Sequence, residues 1–133
     1  MSNWTHIAGI VRVDSIRCFM PEPNWKEIFG KELHYEDDEK VWEDAENNPS
    51  EYLPMGSEGS LEMNVWENPD KNHIFSYVVS IFGDLRNHDS SEEIIEWFKD
   101  KVMNKGLMIR QAVITVENEV NGTLSWTYED DED

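Results

Sequence analysis

A chain of 133 residues with 29 acidic and 11 basic side chains has a net charge of −18, which argues against direct binding to nucleic acid or to an anionic membrane. Hydrophobic residues make up 38% of it, enough for the core of one domain and too many for a disordered acidic chain. The single cysteine, Cys18, excludes an internal disulfide. No apolar run approaches the roughly 18 residues of a membrane span, and we expect a cytoplasmic protein.

The first half of the chain predicts one strand, one helix and a long irregular insert. Alternating residues predict a strand over His6–Arg17. A short helix is predicted over residues 24–30, because Asn24 is a suitable N-cap and Gly30 a suitable stop. Residues 31–60 form the acidic insert, in which the sequence predicts at most a helical turn at 41–45.

The second half predicts a helix among four strands. Ser90 and Glu93 form a capping box, and Gly106 ends the helix that they begin. Gly83 is expected to end the strand before it, and Asn121-Gly122 is a signal for a type I′ hairpin. The predicted strands are Leu61–Trp66, Ile74–Phe82, Met108–Glu117 and Thr123–Tyr128.

This order of elements predicts an α+β fold of the ferredoxin-like, split βαβ type with one appended hairpin strand. We expect an antiparallel sheet of about five strands with two helices on one face. Residues 1–128 then form a single domain, and residues 129–133 form an acidic tail.

The negative charge is concentrated in two places. Residues 36–51, here called the acidic segment, hold eight acidic residues and one lysine, and the last five residues are all acidic. Carboxylates at this density, presented by a bent or helical chain, match the spacing of phosphates on one DNA strand. We therefore expect them to bind a basic, nucleic-acid-binding surface of a host protein; the alternative is a solvated loop that aids solubility. The candidate partner-binding residues are Glu36, Asp37, Asp38, Glu39, Glu43, Asp44, Glu46, Glu129, Asp130 and Asp131.

The sheet face without helices is the second candidate surface. It collects tryptophans and is either an interaction surface or a core that the insert covers. A homo-oligomer could use it to bind a small nucleotide signal by stacking and phosphate pairing. The residues for this alternative are Trp4, His6, Arg12, Trp66, Arg86, Arg110 and Trp126.

No pattern in the chain predicts catalysis, a metal site or a cofactor. Nucleophile elbows, phosphate-binding glycine loops and zinc-protease motifs are absent. The acidic run lacks the glycine and the alternate ligands of a calcium loop, and the four histidines show no paired spacing. We expect a protein that is not an enzyme.

Four segments resemble small acidic proteins of bacteriophages and prophages, a group without an established activity. They are residues 2–6 (SNWTH), 53–61 (LPMGSEGSL), 66–71 (WENPDK) and 80–86 (SIFGDLR). The resemblance implies a phage product that acts in bacterial cytoplasm, where similar small acidic proteins inhibit host defence, in the manner of anti-CRISPR proteins or other DNA mimics. An accessory phage structural or regulatory protein is a further alternative.

Overall fold

The computed structural model describes residues 3–16, 23–34, 36–57, 59–68, 74–87 and 90–129. Five antiparallel strands form one sheet in the order β2-β3-β1-β4-β5. The elements are β1 (Trp4–Ile16), α1 (Trp25–Ile28), α2 (Glu39–Asn47), a 3₁₀ turn (Pro49–Glu51), β2 (Glu62–Glu67), β3 (Ile74–Arg86), α3 (Ser91–Met103), β4 (Met108–Asn118) and β5 (Gly122–Glu129).

The α+β class and the open antiparallel sheet of five strands are confirmed. Three helices are described where the sequence predicts two, because the insert contains α2. The finer ferredoxin-like, split βαβ assignment is not confirmed. The fifth strand beyond β4 is the predicted appended strand, but the connection from β1 to β2 contains two helices and a 3₁₀ turn where the sequence predicts one helix and an irregular insert.

One face of the sheet is buried under the helices. Along β1, Val11 and Val13 are almost fully buried, whereas Ile10 and Arg12 between and beside them are exposed. Such alternation is expected where a sheet has one covered face. From α3, the side chains of Ile94, Phe98 and Val102 complete the core; they recur every four residues and so share one helix face.

Phe98 packs directly over β1 at Gly9. A Cβ atom added to Gly9 would lie 3.1 Å from Cε1 of Phe98. The absence of a side chain at residue 9 therefore sets how closely α3 approaches the sheet.

Both predicted helix caps are present. The Asn24 side chain accepts a hydrogen bond from the backbone N–H of Glu27, and Ser90 Oγ accepts one from the backbone N–H of Glu93. The cap of α2 was missed: the Asp38 side chain accepts from the backbone N–H of Lys40 at 3.1 Å. With this cap the helix begins at Glu39 and is longer than the predicted turn at 41–45.

The prediction that Gly83 ends its strand is wrong, since β3 continues to Arg86. Gly83 has a φ of 151° and a Cβ there would lie 2.8 Å from the carbonyl oxygen of Ser60. Glycine at this position allows the chain that leads into β2 to pass close to β3, and does not stop the strand. At the same end of the pair, β1 begins at Trp4, two residues before the predicted start, and the predicted end at Arg17 lies outside the described residues.

The type I′ hairpin is also wrong. Asn118 pairs with Gly122, so the loop has three residues, and Asn121 does not have the positive φ that a type I′ turn requires. The buried Asn118 side chain holds the turn: its Oδ1 accepts from the backbone N–H groups of Val120 and Asn121, and its Nδ2 donates to Thr5 Oγ1.

Because only one face of the sheet is covered, substitutions at neighbouring residues of β4 should lower the stability by very different amounts. Ile114 is fully buried and Val113 is 40% exposed. We expect Ile114→Ala to lower the free energy of unfolding by about 3 kcal/mol, and Val113→Ala to lower it by less than about 1 kcal/mol. Urea denaturation of the two variants measures this, and equal losses would contradict the assignment of the faces.

Candidate interaction surfaces

The acidic segment belongs to the helix side of the sheet. Leu53, which follows it in the chain, is buried in the main core with Phe29 and the α3 side chains. A second, smaller cluster of Leu33, Ala45 and Tyr52 fastens α2 to the rest of the insert. The insert is therefore an ordered part of the helix layer.

Besides Asp38, which caps α2, two more of the predicted partner-binding acids have structural roles. The Tyr52 hydroxyl donates to Asp44 Oδ2 at 2.6 Å, and Asn48 Nδ2 donates to Asp44 Oδ1 at 3.0 Å. Asp37 Oδ2 accepts from the backbone N–H of His34 at 2.7 Å. Both carboxylates are partly buried and hold the fold of the insert. No motif signals these bonds in the sequence, because they link residues of an irregular segment.

The bond between Tyr52 and Asp44 shifts both pKa values. Donation to the carboxylate raises the pKa of Tyr52 to about 12, with further help from burial and from the negative charge of Asp44. The same bond lowers the pKa of Asp44 below its usual value, and Asn48 adds to this. The stability that Asp44 provides is thus present at neutral pH and is lost as the pH falls through its lowered pKa.

The other acids of the segment point into solvent. Glu39, Glu43 and Glu46 are exposed and lie at positions i, i+4 and i+7 of α2, which places them on one stripe of the helix. Glu36 and Asp38 are exposed just before the helix. The structure brings these five carboxylates together at one end of the insert.

The second acidic patch begins at the other side of the sheet. Glu129 is exposed at the end of β5, and Asp130 and Asp131 lie outside the described residues. The insert leads into β2, and β2 and β5 are the two edge strands, about 19 Å apart at the usual strand spacing. The chain therefore leaves the acidic segment toward one edge strand, and the second patch begins at the end of the other edge strand.

The sheet face opposite the helices, here called the open face, is exposed. Trp66 is 51% exposed and Ile10 is 49% exposed, and both lie on this face with Phe82 and Val113 at 40%. The alternative in which the insert covers these side chains is wrong for the described residues. A groove of about 360 Å³ runs over β4 on this side, next to Arg12 and Gln111.

The residues of the alternative nucleotide site do not converge. Trp126 lies on the helix side, where its ring centroid is 6.0 Å from that of Phe98. Arg12 and Trp66 share one row of the open face, with Val78 between them. The remaining members lie elsewhere: Arg110 pairs with Asp14, and Trp4, His6 and Arg86 are at the other end of β1, roughly 20 Å or more from Arg12.

His6 forms a charged pair at that end of the open face. Its Nδ1 lies 2.7 Å from Asp84 Oδ1. This hydrogen bond raises the pKa of His6 above 6.5, and the charges of Glu119 and Glu117 contribute. The pair therefore stabilises the fold at pH below 6.5 and loses this contribution as the pH rises through the raised pKa.

A wide groove of about 860 Å³ lies between α1 and the insert. Its lining combines the basic side chains Lys26 and Lys31 and the imidazole of His34 with the acids Glu27, Glu32, Asp37 and Glu51. Mixed charges of this kind favour neither an anion nor a cation.

Comparison of the chain with family models, curated proteins and solved structures finds no match. Within the described ranges, no helix has the length and apolar character to cross a membrane. In the same ranges, no three His, Cys, Asp or Glu side chains are grouped so as to hold a metal ion.

The hydrogen bond between Tyr52 and Asp44 predicts an unusual alkaline titration. At about pH 11 Tyr52 stays neutral in the native protein, because its pKa is about 12 rather than 10. Asp44→Asn should allow Tyr52 to ionise near pH 10. The measurement is tyrosinate absorbance, with Tyr52→Phe subtracted and circular dichroism as the control for folding. Ionisation of Tyr52 near pH 10 in the folded native protein would contradict the assigned bond.

Proposed function

We propose that the protein is a non-enzymatic inhibitor that binds a basic, nucleic-acid-binding surface of another protein through its acidic segment. The observation that carries this proposal is the exposed stripe of Glu39, Glu43 and Glu46 on α2, next to Glu36 and Asp38. Carboxylates on a packed helix keep a fixed spacing, which a flexible acidic loop does not.

The spacing of the stripe suits a phosphate-binding surface. At 1.5 Å per residue, Glu43 and Glu46 lie about 6 Å and about 10.5 Å along the helix from Glu39. Phosphates of one DNA strand repeat every 3.4 Å along the axis, so two and three steps span about 7 Å and about 10 Å. Lysines and arginines placed for the first, third and fourth phosphates of a strand therefore meet carboxylates at similar intervals.

Glu39 lies in the first turn of α2, where the helix dipole favours an acid, but Glu43 and Glu46 do not serve the stability of the helix. Like charges at i and i+4 destabilise a helix, and Glu46 lies in the last turn, where the helix dipole favours cations. No basic residue occupies the last turn of α2. Acids that cost helix stability are better explained by a binding partner.

The cellular setting of the proposal rests on the resemblance to small acidic phage proteins. In that setting the partner is a nucleic-acid-binding component of bacterial defence, and the protein acts in the host cytoplasm. The nucleotide-binding alternative is less favoured, since Trp126 and Arg12 lie on opposite faces of the sheet.

We also propose the ferredoxin-like description of the fold, which the order β-α-β-β-α-β within the chain supports.

The proposal predicts that binding to the basic partner weakens when the glutamates of the α2 stripe are replaced by glutamine. The triple variant Glu39→Gln, Glu43→Gln and Glu46→Gln should bind a captured bacterial DNA-binding protein about tenfold more weakly, since each lost charge pair is worth a fraction of a kcal/mol to about 1 kcal/mol. Native binding should also weaken steeply between roughly 0.05 M and 0.5 M salt. Duplex DNA should compete, because it uses the same basic surface.

The matched control is the triple variant Glu92→Gln, Glu93→Gln and Glu96→Gln on the exposed side of α3. It makes the same change in net charge, on a helix of the same protein, and should bind within about twofold of the native protein if the α2 stripe is specific. Equal losses in both variants would indicate attraction by net charge alone. Unchanged binding in the α2 variant would remove the proposed function.

A further inference from the structure

The register of the sheet arranges the side chains of the open face in rows that cross the strands. The middle row contains no charged residue; it consists of Asn64, Ser80, Ile10, Val113 and Thr127. Ile10 and Val113 lie next to each other at its centre and are 49% and 40% exposed. In a protein of net charge −18, this row is an uncharged strip with an apolar centre, and nothing is packed on it in the described structure.

The rows on either side of this strip are complementary to each other. On one side lie Trp66, Val78, Arg12, Gln111 and Glu129, and on the other side lie Glu62, Phe82, Ala8, Thr115 and Ser125. A two-fold axis along the middle row would place a second copy so that each of these rows faces the other. Val78 then meets the partner's Phe82, Trp66 meets the partner's Glu62, and Arg12 meets the partner's Ala8. No like charges face each other.

The outermost rows match in charge under the same axis. His6 and Glu117 lie at one end of the face, and Asp14 lies at the other end beside Met108, with Arg110 at the bulge between β1 and β4. The axis brings His6 opposite the partner's Asp14, and Glu117 opposite the partner's Met108, next to the partner's Arg110 at the bulge. An axis along β1 would instead place Arg12 on its own copy, which like charges disfavour.

The area of the face is sufficient for a dimer. Five strands at about 4.8 Å and five rows at about 6.7 Å would cover roughly 800 Å², and the shorter β2 and β5 reduce the footprint to roughly 700 Å² on each copy. The total of roughly 1,400 Å² lies within the range of specific interfaces. Two sheets packed face to face, about 10 Å apart, form a standard β-sandwich contact.

We propose that two copies of this chain associate through their open faces about a two-fold axis along the middle row. This inference does not depend on the proposed function, because the acidic segment lies on the helix side of the sheet. In the dimer the two acidic segments point outward from opposite sides. The assembly would then present two copies of the α2 stripe.

The first test is the mass of the native protein in solution. Sedimentation equilibrium from about 1 to about 200 µM, at about 0.15 M salt, should show a monomer–dimer equilibrium with the dimer at twice the 15.6 kDa of the chain. A monomer across the whole range would overturn the proposal, whether the face is free or takes another partner.

The second test compares two matched substitutions. Ile10→Glu adds a charge on the middle row, and Met103→Glu adds one at an equally exposed site, 49%, at the end of α3 on the helix side. Ile10→Glu should weaken the dimer at least tenfold, while Met103→Glu leaves it within about twofold. Equal effects would overturn the assigned face, provided that circular dichroism shows both variants folded.

The third test fixes the axis. Glu117 and Arg110 lie toward opposite ends of β4, roughly 20 Å apart within one copy, so only a dimer couples them. Glu117→Arg should weaken association, and the double variant Glu117→Arg with Arg110→Glu should recover at least half of that loss in binding free energy. If the double variant associates no more tightly than Glu117→Arg alone, the proposed axis is overturned.

Discussion

Coverage of the sheet on one side only is the constraint on which the rest of the structure depends. Phe98 of α3 packs over Gly9 of β1, and this close approach closes the core on the helix side. Leu53 and Leu61 extend the same layer, so the insert lies beside α3. The described helices and the insert all pack on this side, and the opposite face of the sheet is exposed in the described structure.

This asymmetry separates two surfaces with different chemistry. Charged carboxylates gather on α2 in the helix layer, whereas the open face has an uncharged strip around Ile10 and Val113. In the function that we propose, a basic partner binds the first surface, and in the proposed dimer a copy of the chain covers the second. The two contacts can be made at once, since they lie on opposite sides of the sheet.

Much of the sheet could be predicted from the sequence, because apolar and polar residues alternate along a strand that has one buried and one exposed face. The same holds for α3, whose cap at Ser90 is local in the chain. The length of β3 could not be predicted, because a glycine in a strand reads as a local stop. Gly83 is instead needed because the backbone of Ser60, distant in the sequence, passes too close for a side chain.

The candidate surfaces were predicted less completely. The exposed acids of the insert were identified, but Asp44 was not distinguished from them, because its bond to Tyr52 depends on the fold of the insert. The side of the sheet that Trp126 occupies depends on the register of β5. Asn118 sets that register by shaping a three-residue loop, and a period-two pattern alone does not reveal it.

The most direct test of the central claim is the reactivity of cysteines placed on the two faces of β1. In a Cys18→Ser background, Ile10→Cys should react rapidly with a thiol reagent at low micromolar concentration, and Val11→Cys should be protected, because Ile10 is 49% exposed and Val11 is fully buried. The difference should span orders of magnitude, since reaction at Val11 requires opening of the core. Similar reactivity at the two positions would contradict a sheet that is covered on one side only.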